Sequence, residues 1–215
     1  MDPRVLARYN SQEGADSYRD EYRKKLHRKL SDRLERRLFD RLFAQTGRVE
    51  SLLDLPCGRG RLRSLFLDHA DSVVEGDWSY PMLVGNRGDN GPSERVGYVR
   101  ASGLALPFAT DSFDAVASIR LNHHMDEQSE REHHVRELLR VARRFVIVTF
   151  YDYHSLKNRL RRLRAPLNGK RPKRTLSVAR VQELAKEAGW RLVTAPALSL
   201  VGSGHRFALL ERVGS

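Results

Sequence analysis

The apolar run Ser51–Leu53 empties into Asp54-Leu-Pro-Cys-Gly-Arg-Gly60, the pattern of a strand that ends in a small-residue turn and opens a helix near Arg61. Gly58 and Gly60 lack Cβ atoms, so the backbone can adopt unusual φ values and come close to a ligand. A helix starting just beyond the turn adds N–H groups with no partner inside the helix. Strand, turn and helix in this order point to an α/β fold with a nucleotide-like ligand held at the turn.

The rest of the chain repeats the alternation. Short apolar runs predict strands at Ser51–Leu55, Ser72–Glu75, Gly97–Arg100, Phe113–Ile119, Phe145–Phe150, Arg191–Ala195 and Arg206–Glu211. Helical spacing predicts helices at Leu62–Asp68, Pro81–Asn86, Glu127–Ala142 and Val178–Ala188, the last with Ser177 as N-cap and Gly189 as its stop. Alternating β and α elements make a mostly parallel sheet with helices on both faces. Asp89-Asn-Gly-Pro-Ser93 reads as a surface loop. Upstream, Tyr22, Leu26, Leu30, Leu34, Leu38 and Leu42 recur at helical spacing with Phe39 and Phe43, predicting an amphipathic helix that ends near Gly47. The reading is therefore an N-terminal helical segment at 1–47 and one domain at 48–215, which suits a chain of 215 residues.

The apolar fraction is 40%, and no apolar run approaches the ~20 residues that span a bilayer. The polar first 25 residues predict no secretory signal, and one cysteine, Cys57, fits a reducing, cytoplasmic setting. The net charge of +12 is local: residues 155–180 carry ten Lys/Arg and no Asp/Glu, while 19–48 mix eleven basic with five acidic residues. Such basic faces suit phosphate-bearing partners, RNA or anionic lipid, and equally a solvated surface.

In an open α/β sheet, ligands sit beyond the carboxyl ends of the strands. Asp77, about twenty residues after the first turn and at the end of the second strand, can accept hydrogen bonds from ribose hydroxyls. A dinucleotide site would need a third glycine where Arg63 stands, and no P-loop run exists.

Together the blocks Leu53-Asp-Leu-Pro-Cys-Gly-Arg-Gly60, Gly76-Asp-Trp-Ser-Tyr-Pro-Met-Leu83 and Leu106-Pro-Phe-Ala-Thr-Asp-Ser-Phe-Asp114, leading into Ala115–Ser118, resemble class I S-adenosylmethionine-dependent methyltransferases from about Leu52 onward. The resemblance implies a single Rossmann-like, seven-stranded domain that takes S-adenosylmethionine. It places the methionine portion at Asp54 and the Gly58–Gly60 turn, the ribose at Asp77, the adenine face at Trp78, the adenine amino group at Ser102 and Gly103, and a further contact at Ile119. Pro56 stands where the family has glycine and Ser102 where it has Asp.

Acceptor-side groups in the family follow the fourth and fifth strands, here Asn122-His-His-Met125 and Tyr151-Asp-Tyr-His154, with Tyr9 and Tyr18 as lid contributors. Histidine titrates near neutrality, which makes His123, His124 and His154 the candidate bases. No Cys/His/carboxylate set has metal-ligand spacing, so no metal is expected. The basic insertion 154–176 falls where the family varies its acceptor selectivity. Leu156, Leu160, Leu163 and Leu167 give it an apolar stripe, and residues 157–174 suit an anionic membrane surface or RNA. The expected activity is methyl transfer to an anionic small-molecule or lipid-linked acceptor, with an RNA methyltransferase or a non-catalytic cofactor-binding protein as alternatives.

Overall fold

The computed structural model describes residues 7, 9–11, 13–17, 26–168, 174–199 and 203–214. Tyr18, Tyr22 and the stretch 169–173 of the basic insertion lie outside the described residues, as does the side chain of Leu167.

Seven strands form one sheet in the order β3-β2-β1-β4-β5-β7-β6: β1 Val49–Asp54, β2 Ala70–Asp77, β3 Val96–Arg100, β4 Phe113–Ser118, β5 Ala142–Tyr151, β6 Trp190–Thr194 and β7 His205–Arg212. Strands β1 to β5 are mutually parallel, and β7 runs antiparallel between β5 and β6. All seven expected strands are present. Chain order reverses between β1 and β4, which opens a crevice beyond their carboxyl ends. The helices are α1 Leu26–Thr46, α2 Arg63–His69, α3 Tyr80–Asn90, α4 Gln128–Val141, α5 Leu156–Asn168 and α6 Val178–Glu187. Serine caps begin two of them: Ser79 Oγ accepts from Met82 N and Ser177 Oγ accepts from Arg180 N.

Successive strand residues point to opposite faces, and the core divides accordingly. Leu53, Val116, Val146 and Val148 pack with Leu138 of α4, Leu184 of α6 and Trp190. Leu52, Ala115, Ala117 and Ile147 pack on the other face with Phe39 and Phe43 of α1, Phe66 of α2 and Phe207. Phe39 meets Phe66 and Phe207 edge-on, with ring centroids 5.6 Å apart in each pair.

Two elements differ from the sequence expectation. Asp89 and Asn90 belong to α3 and not to a loop, because Asp89 pairs with Arg59 at 2.8 Å and Asn90 Nδ2 donates to Arg59 O. The leucine stripe of α1 is buried only in its second half: Leu38 and Leu42 are covered, while Leu30 and Leu34 face solvent. There the helix meets arginines from the strand-end turns, so its contact face is acidic. Arg63, which stands where a dinucleotide site would need glycine, is buried and donates to Gly91 O and Tyr98 Oη.

Candidate functional site

The turn after β1 is shaped by its backbone. Gly58 and Gly60 have φ of 56° and 70°, and the Leu55–Pro56 bond is cis. Cys57 N donates to Gly76 O at 2.8 Å, tying the turn to β2. Glycine at 60 serves packing: a Cβ there would lie 2.1 Å from Oδ1 of Asn86, a fully buried residue of α3. The open approach expected at this position is thus filled by α3. Gly58, half-buried, keeps its amide on the rim.

Asp77 joins the first two turns. Its Oδ2 accepts from Gly58 N at 2.9 Å and its Oδ1 from Ser79 N at 2.8 Å. The carboxylate retains acceptor capacity beyond these backbone bonds, so it can also take a ligand hydroxyl. Burial pushes its pKa up to about 6 against these backbone bonds. Asp54, at the end of β1, is 2% exposed and its Oδ1 has no hydrogen-bond partner. Burial, reinforced by Glu75 and Asp77, pushes its carboxyl well above the usual range, with Arg61 acting in the opposite sense. An orphaned buried oxygen is costly on its own. A cationic ligand group beside it would remove the cost, and this is the charge carried by the ammonium and sulfonium of S-adenosylmethionine. The donor set on this rim therefore fits that cofactor.

The remaining cofactor-side candidates are placed as follows. Trp78 is 45% exposed, with the Arg100 guanidinium 5.2 Å from its ring centroid. Ser102 Oγ accepts from Leu104 N, within its own turn. Gly103 O accepts from His134 Nδ1 at 2.7 Å, and a Cβ on Gly103 would lie 2.6 Å from Leu121 Cδ2. With Nδ1 donating, His134 Nε2 accepts from Ser118 Oγ at 2.9 Å, so this ring is neutral, and burial lowers its pKa to about 4. Ile119 is buried against the α1 face of the sheet.

The acceptor side is an assembly of rings. His123 and His124, in the short helical turn Asn122–His124 after β4, have centroids 4.2 Å apart. His123 lies 4.6 Å from the Tyr151 ring at the end of β5 and 5.3 Å from His205 at the start of β7, and Tyr151 and His205 are 4.2 Å apart. His154 is placed apart from this group. Its ring meets Tyr153 edge-on and lines a hollow of about 120 Å³ with Ser155, Ser203, His205 and Arg206. His205 is shared by ring cluster and hollow.

The N-terminal segment spans both sides. Tyr9 O accepts from Ser79 Oγ at 2.6 Å, and the Tyr9 ring meets His124 at 6.3 Å. On α1, Glu35 is fully buried between two guanidinium groups, Arg61 NH2 at 2.7 Å and Arg120 Nε at 3.2 Å. Arg61 follows the β1 turn and Arg120 follows β4, where it holds φ of 63°. Arg59, also buried, reaches Asp89 and, at 3.4 Å, Asp16.

Residues 53–148 match the methyltransferase domain family. This stretch, a little under half of the chain, supports the resemblance to class I S-adenosylmethionine-dependent methyltransferases. An Encephalitozoon cuniculi (strain GB-M1) protein assigned to the methyltransferases is 34% identical over 96 residues, which are 45% of this chain and 41% of that protein. The chain thus aligns with less than half the length of that relative. Among solved structures, magnesium protoporphyrin IX methyltransferase from Synechocystis PCC 6803 with bound SAH superposes with a TM-score of 0.79 at 16% identity, covering 97% of this chain and 99% of that one. The complex of the Haloferax volcanii Trm112 methyltransferase activator with its methyltransferase gives a TM-score of 0.67 at 16% identity, over 93% and 96% of the two chains. The methyltransferase fold therefore extends over nearly the whole chain, and the family's cofactor is S-adenosylmethionine.

Glu35, Arg120 and His205 are the rim residues the sequence did not reveal. Glu35 sits among charged residues of an amphipathic helix and carries no local mark of burial. His205 lies more than 80 positions from His123, and only the antiparallel return of β7 beside β5 brings them together.

Proposed function

We propose that this protein transfers a methyl group from S-adenosylmethionine to an anionic small-molecule or lipid-linked acceptor. The observation that carries the reading is the pair of buried carboxylates on adjacent parallel strand ends, Asp54 with an orphaned oxygen and Asp77 clamping two turns, within a methyltransferase domain. When bound, S-adenosylmethionine supplies an electrophilic methyl group on a sulfonium. Asp77 would hold the ribose hydroxyls, and Asp54 with the Gly58 turn the methionine portion. Trp78, Ser102, Gly103 and Ile119 remain the candidates for the adenine side.

On the acceptor side, His123 is the preferred base, with His124 beside it and Tyr151 and His205 fixing the ring's surroundings. A neutral imidazole there can take the proton of an acceptor hydroxyl or amine as the new bond forms. His154, over the separate hollow, suits acceptor binding better than proton transfer. Backbone amides on one rim would hold the donor and rings on the other would orient the acceptor, and such positioning supplies much of the rate enhancement in a displacement of this kind. The anionic character of the acceptor rests on the basic insertion beside that rim.

The test is calorimetric titration with S-adenosylmethionine, followed by transfer of labelled methyl from the cofactor into fractionated small-molecule and lipid extracts. Incorporation lost in His123→Ala while cofactor binding stays intact is the expected result. No cofactor binding by the folded protein would overturn the reading. Label found only in nuclease-sensitive material would move the acceptor to RNA.

A further inference from the structure

We propose that α5 docks the protein on an anionic lipid surface. The inference concerns a surface outside the cofactor rim and holds whatever the acceptor is. Helix α5 follows β5 directly, at the carboxyl edge of the sheet that carries the acceptor-side rings. At about 100° per residue, Leu156, Leu160 and Leu163 fall on one stripe about 60° wide, and Asn158 falls on the opposite side. Asn158 is buried, with its Nδ2 donating to Asp152 O at 2.8 Å, so this side faces the domain. The leucines consequently point away from it: Leu156 is 51%, Leu160 40% and Leu163 74% exposed.

Three leucines turned outward along one helix are not covered by packing among the described residues. Arg159 and Arg164 flank the stripe at either edge and are exposed, and from Leu156 to Asn168 the helix has no Asp or Glu. Apolar centre, cationic margins and no acid are complementary to an interface with acyl chains below and anionic headgroups around. A nucleic acid would use the arginines and leave the leucines in water. A docked α5 would set the neighbouring hollow of His154, Ser155, Leu156 and His205 against the headgroup layer.

Co-sedimentation of the full chain with vesicles of phosphatidylcholine plus phosphatidylglycerol, against phosphatidylcholine alone, tests this. Binding to the anionic vesicles only, weakened by salt, is expected. The double variant L160S/L163S should lower the partition coefficient roughly tenfold or more, and R159Q/R164Q several-fold. Both replace exposed side chains, so cooperative thermal unfolding should be unchanged. The proposal is overturned if the leucine variant partitions like the wild type, if neutral vesicles bind equally well, or if no vesicle binds. Arginine-dependent, leucine-independent binding to RNA that vesicles cannot displace also overturns it. S-adenosylmethionine titration of the same samples reads the cofactor site separately, so failure of docking is not confused with failure of the methyltransferase reading.

Discussion

The two rims of the crevice are built from different materials. On the cofactor side, carboxylates and backbone amides close enough in sequence to form one motif bond to each other: Asp77 to Gly58 and Ser79, Cys57 to Gly76. On the acceptor side, His123, Tyr151 and His205 come from the turn after β4 and from strands β5 and β7, and meet through ring faces and edges. Bonded amides and carboxylates fix one geometry, because a buried polar group that moves loses its partner. Ring contacts of 4 to 6 Å separation tolerate sliding and substitution. A fold that keeps its donor and changes its acceptor has use for this division.

Glu35 joins the rims, and breaking it should have the largest effect. Glu35→Ala leaves the half-buried Arg120 and Arg61 without their common carboxylate, Arg61 keeping Asp32, which should cost about 3 kcal/mol, the low end for a broken buried pair. Urea unfolding measures it, and a loss below about 1 kcal/mol would show that α1 merely rests on the rims. Next in size is Asp77→Ala, which should weaken S-adenosylmethionine binding at least about tenfold, or 1.4 kcal/mol. An unchanged dissociation constant would remove Asp77 from the ribose site.

The same division explains what the sequence disclosed. All seven strands were legible because each is a short apolar run between turn residues, and so was the tight turn after β1, since Asp54, Gly58, Gly60 and Asp77 lie within one β-α-β unit. The reason for Gly60 was not legible: the Asn86 side chain that fills its open side belongs to a helix 26 positions away. Nor was the isolation of His154 from His123 and His124, because the pattern gives no direction to a side chain in a loop. Burial of Glu35 depends on Arg61 and Arg120 arriving from two different strand ends, a coincidence of topology.

Proton linkage offers a finer probe of the cofactor rim. Burial raises the Asp77 carboxyl to about 6 in the free protein. Ligand hydroxyls donate to its ionised form, so cofactor binding should release a proton below that pH. Affinity should rise with pH and level off above about 6, by about tenfold between pH ~5 and ~7 if Asp77 alone titrates. Asp54, also raised, acts in the same direction toward a cation. Without ligand the sign reverses for stability: a carboxylate raised on folding makes the folded state less stable as pH climbs from about 4 to 6. Calorimetry in buffers of different ionisation enthalpy counts the protons. A pH-independent affinity in the wild type would contradict a charged Asp77 at the ribose.

The smallest expected effect tests whether the rims are energetically separate. His205→Phe keeps a ring beside Tyr151 and His123 and lies away from the Gly58 turn, so cofactor affinity should change by less than about twofold, or ~0.4 kcal/mol. In a double-mutant cycle with Asp77→Ala, the coupling should stay within about 0.5 kcal/mol, as for sites that share no partner. Tyr9 touches both a cofactor-side turn, through Ser79, and an acceptor-side ring, His124. If coupling between His205 and Asp77 exceeds about 1 kcal/mol, the rings transmit to the turn through this segment and the two rims act as one unit. If it is near zero, replacing the ring cluster can change the acceptor while the donor site is left as it stands.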